Sequence, residues 1–414
     1  MTTTTRPIAP HRPPLTHPDA SPRWGRIHHS VAWLLLLGLL HAAPALADDA
    51  AEATVSDGGE AEEPTAEPYD GGYFAIGVGA NTFERFIFNA ELGHGSLFGV
   101  DDLRLRQRAE ISGLTQHLDL LIAGGPDLSG PFLWEAGGLY EERLLTIHAD
   151  LGERRYGGHA QLGYQPVRQL TLSLGSRTEQ RELQEAALLD DAEGGLSQHA
   201  TSPNKTLTSA WLQAEYRSRP DDLDPFMLRG LLLQGRLEQT VGIAGTDARF
   251  TRAEARIGYG LTLPGQLKVM VEGRAGSLMS DNPADVPFFD RYRLGGPYGF
   301  GGRYLTSAGQ HLQLDPNDPT QNLALGGDSV VYGRVEAQLP VIPSVGLFVF
   351  GGVEGGGLQD QLADLSRVDW AASGYGGLRW LSPIGALSAG WGAPLNVPEP
   401  YREPIFLFQL GGAF

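Results

Sequence analysis

The sequence predicts an all-β fold: a transmembrane, antiparallel, up-and-down β-barrel of about sixteen strands. Three observations predict it. From Gly71 onward, polarity alternates with a period of two. The connections between the alternating segments sort into short and long ones that take turns along the chain. The chain ends on an aromatic residue inside a strand, with one greasy face.

The N-terminus reads as an export leader over residues 1–47. Arg23 and Arg26 precede the apolar run Val31 to Leu40, and Ala45-Leu46-Ala47 supplies a small-x-small cleavage site. That run is too short to span a bilayer, which argues against an uncleaved anchor. Cleavage after Ala47 leaves 367 residues of the 414. The leader carries four arginines against one aspartate, so its removal moves the net charge from −18 to −21. Residues 48–70 hold nine carboxylates and no Lys or Arg, and are expected to form a disordered, acidic periplasmic tail.

The barrel is expected over 71–414. Candidate strands fall at 72–80, 85–93, 102–112, 116–124, 131–145, 150–165, 169–183 and 205–217. The second half adds 227–241, 247–262, 264–279, 328–340, 344–356, 370–382, 386–394 and 404–414. In 247–262, Ala253, Ala255, Ile257, Tyr259 and Leu261 share a face opposite Arg252, Glu254 and Arg256. In 328–340, Val331, Val335, Ala337 and Leu339 oppose Tyr332, Arg334, Glu336 and Gln338. In 205–217, Leu212, Ala214 and Tyr216 oppose Gln213, Glu215 and Arg217. Apolar-out and charged-in describes a wall between lipid and a hydrated lumen. Soluble amphipathic strands would need a second apolar layer, and no helical period supplies one. Short links at 166–168, 263, 341–343 and 383–385 alternate with long ones at 184–204, 280–327, 357–369 and 395–403. A barrel with both termini periplasmic places its short turns on that side and its long loops outside.

Bulk composition narrows the function. The absence of Cys excludes a disulfide scaffold and any thiolate metal site. No run of about 18 apolar residues exists to form a membrane helix, which leaves a closed barrel as the spanning form. The acidic balance and the lack of a basic patch argue against nucleic acid. Lys205 and Lys268 are the only lysines; arginine suits a lumen because it pairs bidentately with carboxylates.

The long connection holds Pro287-Phe-Phe-Asp-Arg-Tyr-Arg-Leu-Gly-Gly-Pro-Tyr-Gly-Phe-Gly-Gly-Arg-Tyr304. It resembles the sixth extracellular loop of the BamA/TamA-type outer-membrane superfamily, the bacterial surface antigen family. The match is good from Phe288 through Leu294, Gly295 and Gly296. It departs at the tip, where the family has Arg-Gly-aromatic and this chain has Gly301-Gly302-Arg303-Tyr304. Leu347 to Gly356 resembles the family strand with an acid before Gly, here Glu354. Gly376 to Trp391 resembles the family hairpin before the last strand. Residues 71–280 fit in strand pattern alone. Phe406, Phe408, Leu410 and Phe414 resemble the C-terminal sorting signal of outer-membrane barrels.

The resemblance implies a sixteen-stranded barrel in the bacterial outer membrane, with the long extracellular loop folded into the lumen. It implies that Arg303 pairs with Glu354 on the thirteenth strand, or with Glu336 on the twelfth. A loop of this kind inside a hydrated barrel needs an anchor, and Arg to carboxylate is the strongest available. Arg291 and Arg293 are the next candidates; an outer loop with Arg303 in solvent is the alternative. The acidic tail leaves no room for a POTRA module, and no Gly-x-Ser-x-Gly elbow is present, so the chain reads as a barrel-only member and not as a patatin-type lipase. The implied partners are outer-membrane lipid and the barrel-assembly machinery during biogenesis; a homo-oligomer stays open. No cofactor is expected.

Three functions follow: a POTRA-less pore for protein or lipid insertion or translocation, with an openable seam between first and last strands; a passive porin-like or surface-exposed structural protein; and an outer-membrane hydrolase. For the hydrolase, His199 lies near Ser197, Thr201 and Ser202, and His311 follows the loop; a surface histidine is the plainer reading of each. Asp315-Pro-Asn-Asp-Pro319 offers oxygen ligands for Ca²⁺, with a simple turn as the plainer reading.

Overall fold

The computed structural model describes residues 72–81, 85–94, 103–125, 131–144, 152–184, 204–219, 229–241, 249–281, 286–287, 290–295, 311–315, 318–324, 326–359, 369–382, 385–396 and 404–410. The leader and the acidic tail lie outside these residues. The first strands are β1 (Gly72–Asn81), β2 (Arg85–His94), β3 (Leu103–Ser112), β4 (Thr115–Gly124), β5 (Phe132–Leu144) and β6 (Gly152–Val167). They continue with β7 (Leu170–Gln184), β8 (Asn204–Arg217), β9 (Gly230–Thr240), β10 (Thr251–Thr262), β11 (Lys268–Met279) and β12 (His311–Asp315). The last are β13 (Asp318–Ala324), β14 (Ser329–Ile342), β15 (Leu347–Gln359), β16 (Asp369–Ser382), β17 (Gly385–Pro394) and β18 (Ile405–Leu410).

Sixteen of these close into one antiparallel barrel in chain order, with β11 pairing directly to β14 and β18 returning to β1. Closure leaves no sheet edge, so every wall strand has a neighbour on both sides for its backbone hydrogen bonds. The expected strands match the observed ones to within a few residues. The difference lies in the long connection, where β12 and β13 form a separate two-stranded sheet. HLQLD alternates over only five residues and DPTQNLA does not alternate, so neither gives a sustained strand period. Asp315 pairs with Asp318 in this hairpin; residues 316–317 lie outside the described residues.

The wall sorts its residues as a membrane requires. Leu162, Leu174, Leu212, Ile257, Val353 and Trp391 each leave roughly half of their surface open on the outer face. In water such a belt would be an aggregation hazard; in lipid it is the solvated state. Residues one position along turn inward, and Glu238, Glu272, Glu336, Gln338 and Glu354 are all buried. From β6 onward most short turns and long loops alternate as expected, although the β8–β9 link is also long. The order is reversed in the first four strands, where the short links join β1 to β2 and β3 to β4.

Candidate functional site

Period-two charge on the inward face produces ladders of alternating Arg and Glu, and the barrel curvature brings neighbouring ladders together. Glu272 on β11 takes Arg256 Nε and Arg274 Nε on Oε1, each at 2.7 Å, and Arg334 Nη2 on Oε2 at 2.8 Å. One carboxylate thus joins β10, β11 and β14, and its charge-assisted bonds fix their inward faces against one another. Further round, Arg143 Nε donates to Glu153 at 2.8 Å, and Arg155 Nη2 donates to Glu141 at 3.0 Å. Arg177 Nη2 lies 2.7 Å from Glu238 Oε1.

The root of the long connection enters this network. Asp290 is fully buried, and its Oδ1 accepts Arg181 Nη1 of β7 at 2.8 Å and Arg252 Nη2 of β10 at 3.0 Å. The same Arg252 nitrogen also donates to the Asp290 backbone carbonyl at 3.1 Å. Arg181 is itself held from behind by Glu179 Oε2, at 3.1 Å from Nε and 2.9 Å from Nη2. Two residues on, Tyr292 exchanges backbone bonds with Gly327 at 2.9 and 2.8 Å, and its hydroxyl donates to Glu254 Oε1 at 3.1 Å. Leu294 is wholly buried in an apolar cluster with Leu278, Val330 and Leu358. Acid, aromatic and aliphatic groups from five consecutive residues therefore all reach inward-facing side chains of the wall.

Glycines make the space for this. A Cβ on Gly276 of β11 would lie 2.6 Å from the Tyr292 ring. A Cβ on Gly356 of β15 would lie 2.7 Å from Leu294 Cδ2 and 2.4 Å from the Val331 carbonyl. Gly295 adopts φ 84°, a left-handed conformation that explains the glycine after Leu294. Gly276→Val is accordingly expected to cost about 1–3 kcal/mol through overpacking against a rigid ring. Adding Tyr292→Ala should recover part of that loss, as judged from denaturant midpoints of the folded protein in detergent. Independent, additive losses would place the ring elsewhere.

Other residues singled out by the sequence are distributed as follows. Arg303, with Gly296, Gly301, Gly302 and Tyr304, lies outside the described residues. Of its expected carboxylates, Glu354 accepts Tyr332 Oη at 2.8 Å and Ser373 Oγ at 3.3 Å. Glu336 accepts Tyr375 Oη at 2.9 Å and also pairs with Arg379. Arg291 Nε lies 3.6 Å from Asp328 Oδ1, and Arg293 joins a polar cavity with Arg143, Arg155 and Arg177. His199, Ser197, Thr201 and Ser202 lie outside the described residues, and His311 opens β12. In β18, Phe406 packs in a tilted contact against the lipid-facing Trp391 with ring centroids 4.6 Å apart, and Phe408 and Leu410 share its face; Phe414 lies outside the described residues.

Asp290 is the functional residue that sequence reasoning quoted without giving it a role. Its partners lie 109 and 38 positions away in the chain, so no local spacing reveals them. The available sign was the i, i+2 charge run Arg177, Glu179, Arg181 on the inward face of β7, which marks a wall built to meet a charged loop.

Among the described residues four positions pair β1 with β18, Val78 to Asn81 against Leu410 to Leu407. On either side, ten positions pair β1 with β2 and six pair β17 with β18.

Comparison with known proteins agrees with this architecture. The Omp85 superfamily domain model matches residues 142–414. The outer membrane protein assembly factor BamA of Nitratidesulfovibrio vulgaris (strain Hildenborough) is 27% identical over 144 residues, covering 34% of this chain and 17% of that protein. The chain thus matches about a sixth of the length of this curated relative. Among solved structures, BamA from Haemophilus ducreyi lacking POTRA domains 1–3 superposes with a TM-score of 0.65 at 17% identity, over 83% of this chain and 70% of that one. CdiB from Escherichia coli superposes with a TM-score of 0.53 at 13% identity, over 84% and 64%. Sixteen-strand closure, an apolar outer belt, a charged interior and a family match over most of the wall lead to one conclusion: the chain belongs to the Omp85 superfamily and is a β-barrel of the bacterial outer membrane.

Proposed function

We propose that this barrel is a pore that inserts or translocates protein or lipid at the outer membrane, working through its β1–β18 seam. The observation that supports the reading most is the four-position pairing of that seam among the described residues. Each antiparallel position contributes backbone bonds worth about 0.5–1.5 kcal/mol net, so the fewer positions a seam pairs, the less its opening costs. The curated relative is named an outer membrane protein assembly factor, which fits the same reading. In this proposal the long loop, with Arg303 at its tip, folds into the lumen beyond the Asp290 anchor, and Arg303 pairs with Glu354. Such a loop would hold the pore narrow and keep leakage low. Phe406, Phe408, Leu410 and Phe414 serve as the sorting signal read by the barrel-assembly machinery. The reading assigns no catalysis.

Val78 and Leu410 are paired across the seam, and the chain has no native cysteine. Antiparallel partners have Cα atoms about 4.5–5.5 Å apart, within the span of a disulfide. A Val78→Cys, Leu410→Cys protein in vesicles should speed the folding of a urea-denatured small outer-membrane barrel when reduced, and lose that effect when oxidised. The same sample before and after reductant is its own control for assembly defects. No acceleration over protein-free vesicles in the reduced state would overturn the insertion reading. Steady, large single-channel currents would favour a passive pore instead.

A further inference from the structure

The root of the long connection and the facing wall enclose a cavity of ≈160 Å³ near the long-loop end of β5–β7 and β10. Five wall arginines line it: Arg143, Arg155, Arg177, Arg181 and Arg252. The loop adds Arg291, Arg293 and one carboxylate, Asp290. The carboxylates that hold these arginines stand behind them. Glu153 holds Arg143, Glu141 holds Arg155, Glu238 holds Arg177 and Glu179 holds Arg181. The guanidiniums are thus braced from the wall side, with cationic groups left to face the cavity.

We propose that this cavity is a binding site for a tetrahedral oxyanion, phosphate or sulfate, either free or carried by a larger molecule. Three features carry the inference. The first is size: at about 30 Å³ of liquid volume per water, the space equals about five waters and admits one such anion. The second is donor chemistry. Each guanidinium offers five N–H groups in a planar fork, and two suffice for a bidentate carboxylate. Further donors can then serve an oxyanion, the ligand whose geometry arginine matches. The third is charge: seven arginines and one carboxylate line the space, while Glu153, Glu141, Glu238 and Glu179 pair with the wall arginines from behind. Like charges held this close repel strongly when shielded from water. Burial, and then the neighbouring Arg143, push the Arg293 guanidinium down to about 10. Bound water relieves this repulsion less than a bound anion does. The wall arginines already pair with carboxylates, yet a space lined almost entirely by guanidinium remains in front of them.

The test uses the full chain folded in neutral detergent at low ionic strength, with chloride as the background anion. Inorganic phosphate and sulfate are titrated by calorimetry, and the unfolding temperature is followed in parallel. Both anions should bind and raise that temperature. Arg293→Gln, which removes one charge-assisted partner from the loop side, should weaken phosphate binding about tenfold. Arg293→Lys, which keeps the charge but loses the fork, should fall between. The control is Arg217→Gln, on a half-exposed arginine remote from the cavity, and should bind like the parent. If Arg293→Gln fails to fold, the lysine variant carries the comparison. A second arm places the protein in phosphate-free nanodiscs with or without phosphatidic acid. Stabilisation by phosphatidic acid that Arg293→Gln abolishes identifies a lipid headgroup as one source of the anion. Stabilisation by inorganic phosphate alone identifies a soluble source reached through the lumen. No heat and no stabilisation with either anion would overturn the proposal. So would phosphate affinity that is unchanged in both Arg293 variants.

Discussion

Replacing Asp290 with alanine is expected to destabilise the folded barrel by about 3–5 kcal/mol, at the upper end of that range. Asp290 and Arg181 are both almost wholly shielded from solvent, and Arg252 is nearly so. Removing the carboxylate leaves two buried guanidiniums without the group that joins them. Arg181 keeps Glu179, while Arg252 keeps the backbone carbonyl of residue 290 at 3.1 Å and a loose approach to Glu254 at 3.9 Å. Water from the adjoining cavity replaces the lost partner only in part, so much of the desolvation penalty remains. Asp290→Asn separates charge from geometry: an amide oxygen still accepts from both arginines but carries no charge, so its loss should fall between the parent and alanine. The readouts are the denaturant midpoint in detergent and the rate of proteolysis within residues 280–327. Cleavage should accelerate in Asp290→Ala, because the root of the connection has lost its tie to β7 and β10. A midpoint shift below about 0.5 kcal/mol, the range of ordinary surface changes, would show that the buried pairs do not hold the loop.

The wall was legible in the sequence because its physics is local. Alternation of Ala253, Ala255 and Ile257 with Arg252, Glu254 and Arg256 needs only the pleat and two solvents, lipid and water. The same rule assigned Val335 and Leu339 outward and Glu336 and Gln338 inward, as observed. The hairpin of β12 and β13 was not legible, since five alternating residues followed by the non-alternating DPTQNLA give no sustained period. The interior partners were not legible either. Period two says that Arg181 and Arg252 face inward, but not that curvature and a long connection bring both to Asp290. The glycines show the same division. A Gly-rich β15 reads as an ordinary barrel strand, while the need for Gly356 to clear Leu294 depends on a segment about sixty residues earlier in the chain.

Glu272→Ala should produce the second large effect, with a different signature. Three arginines, Arg256, Arg274 and Arg334, converge on this one buried carboxylate from β10, β11 and β14. Its removal leaves three like charges facing one another with nothing between them. Breaking a buried pair costs about 3–5 kcal/mol. Here the three arginine side chains are between 21% and 34% exposed, so water softens the loss and places it near 3 kcal/mol. Among the described residues, the donors to this carboxylate are the wall residues Arg256, Arg274 and Arg334. Glu272→Ala should therefore lower the denaturant midpoint while leaving proteolysis within 280–327 close to the parent rate. Asp290→Ala should change both. Combining the two substitutions should give nearly additive losses, because the sites share no hydrogen-bond partner. Converting one arginine as well, as in Glu272→Ala with Arg334→Met, removes one of the repelling charges and should restore part of the stability. If Glu272→Ala instead frees the loop as fully as Asp290→Ala does, the wall and the loop form a single cooperative network, and Asp290 is not a separate anchor.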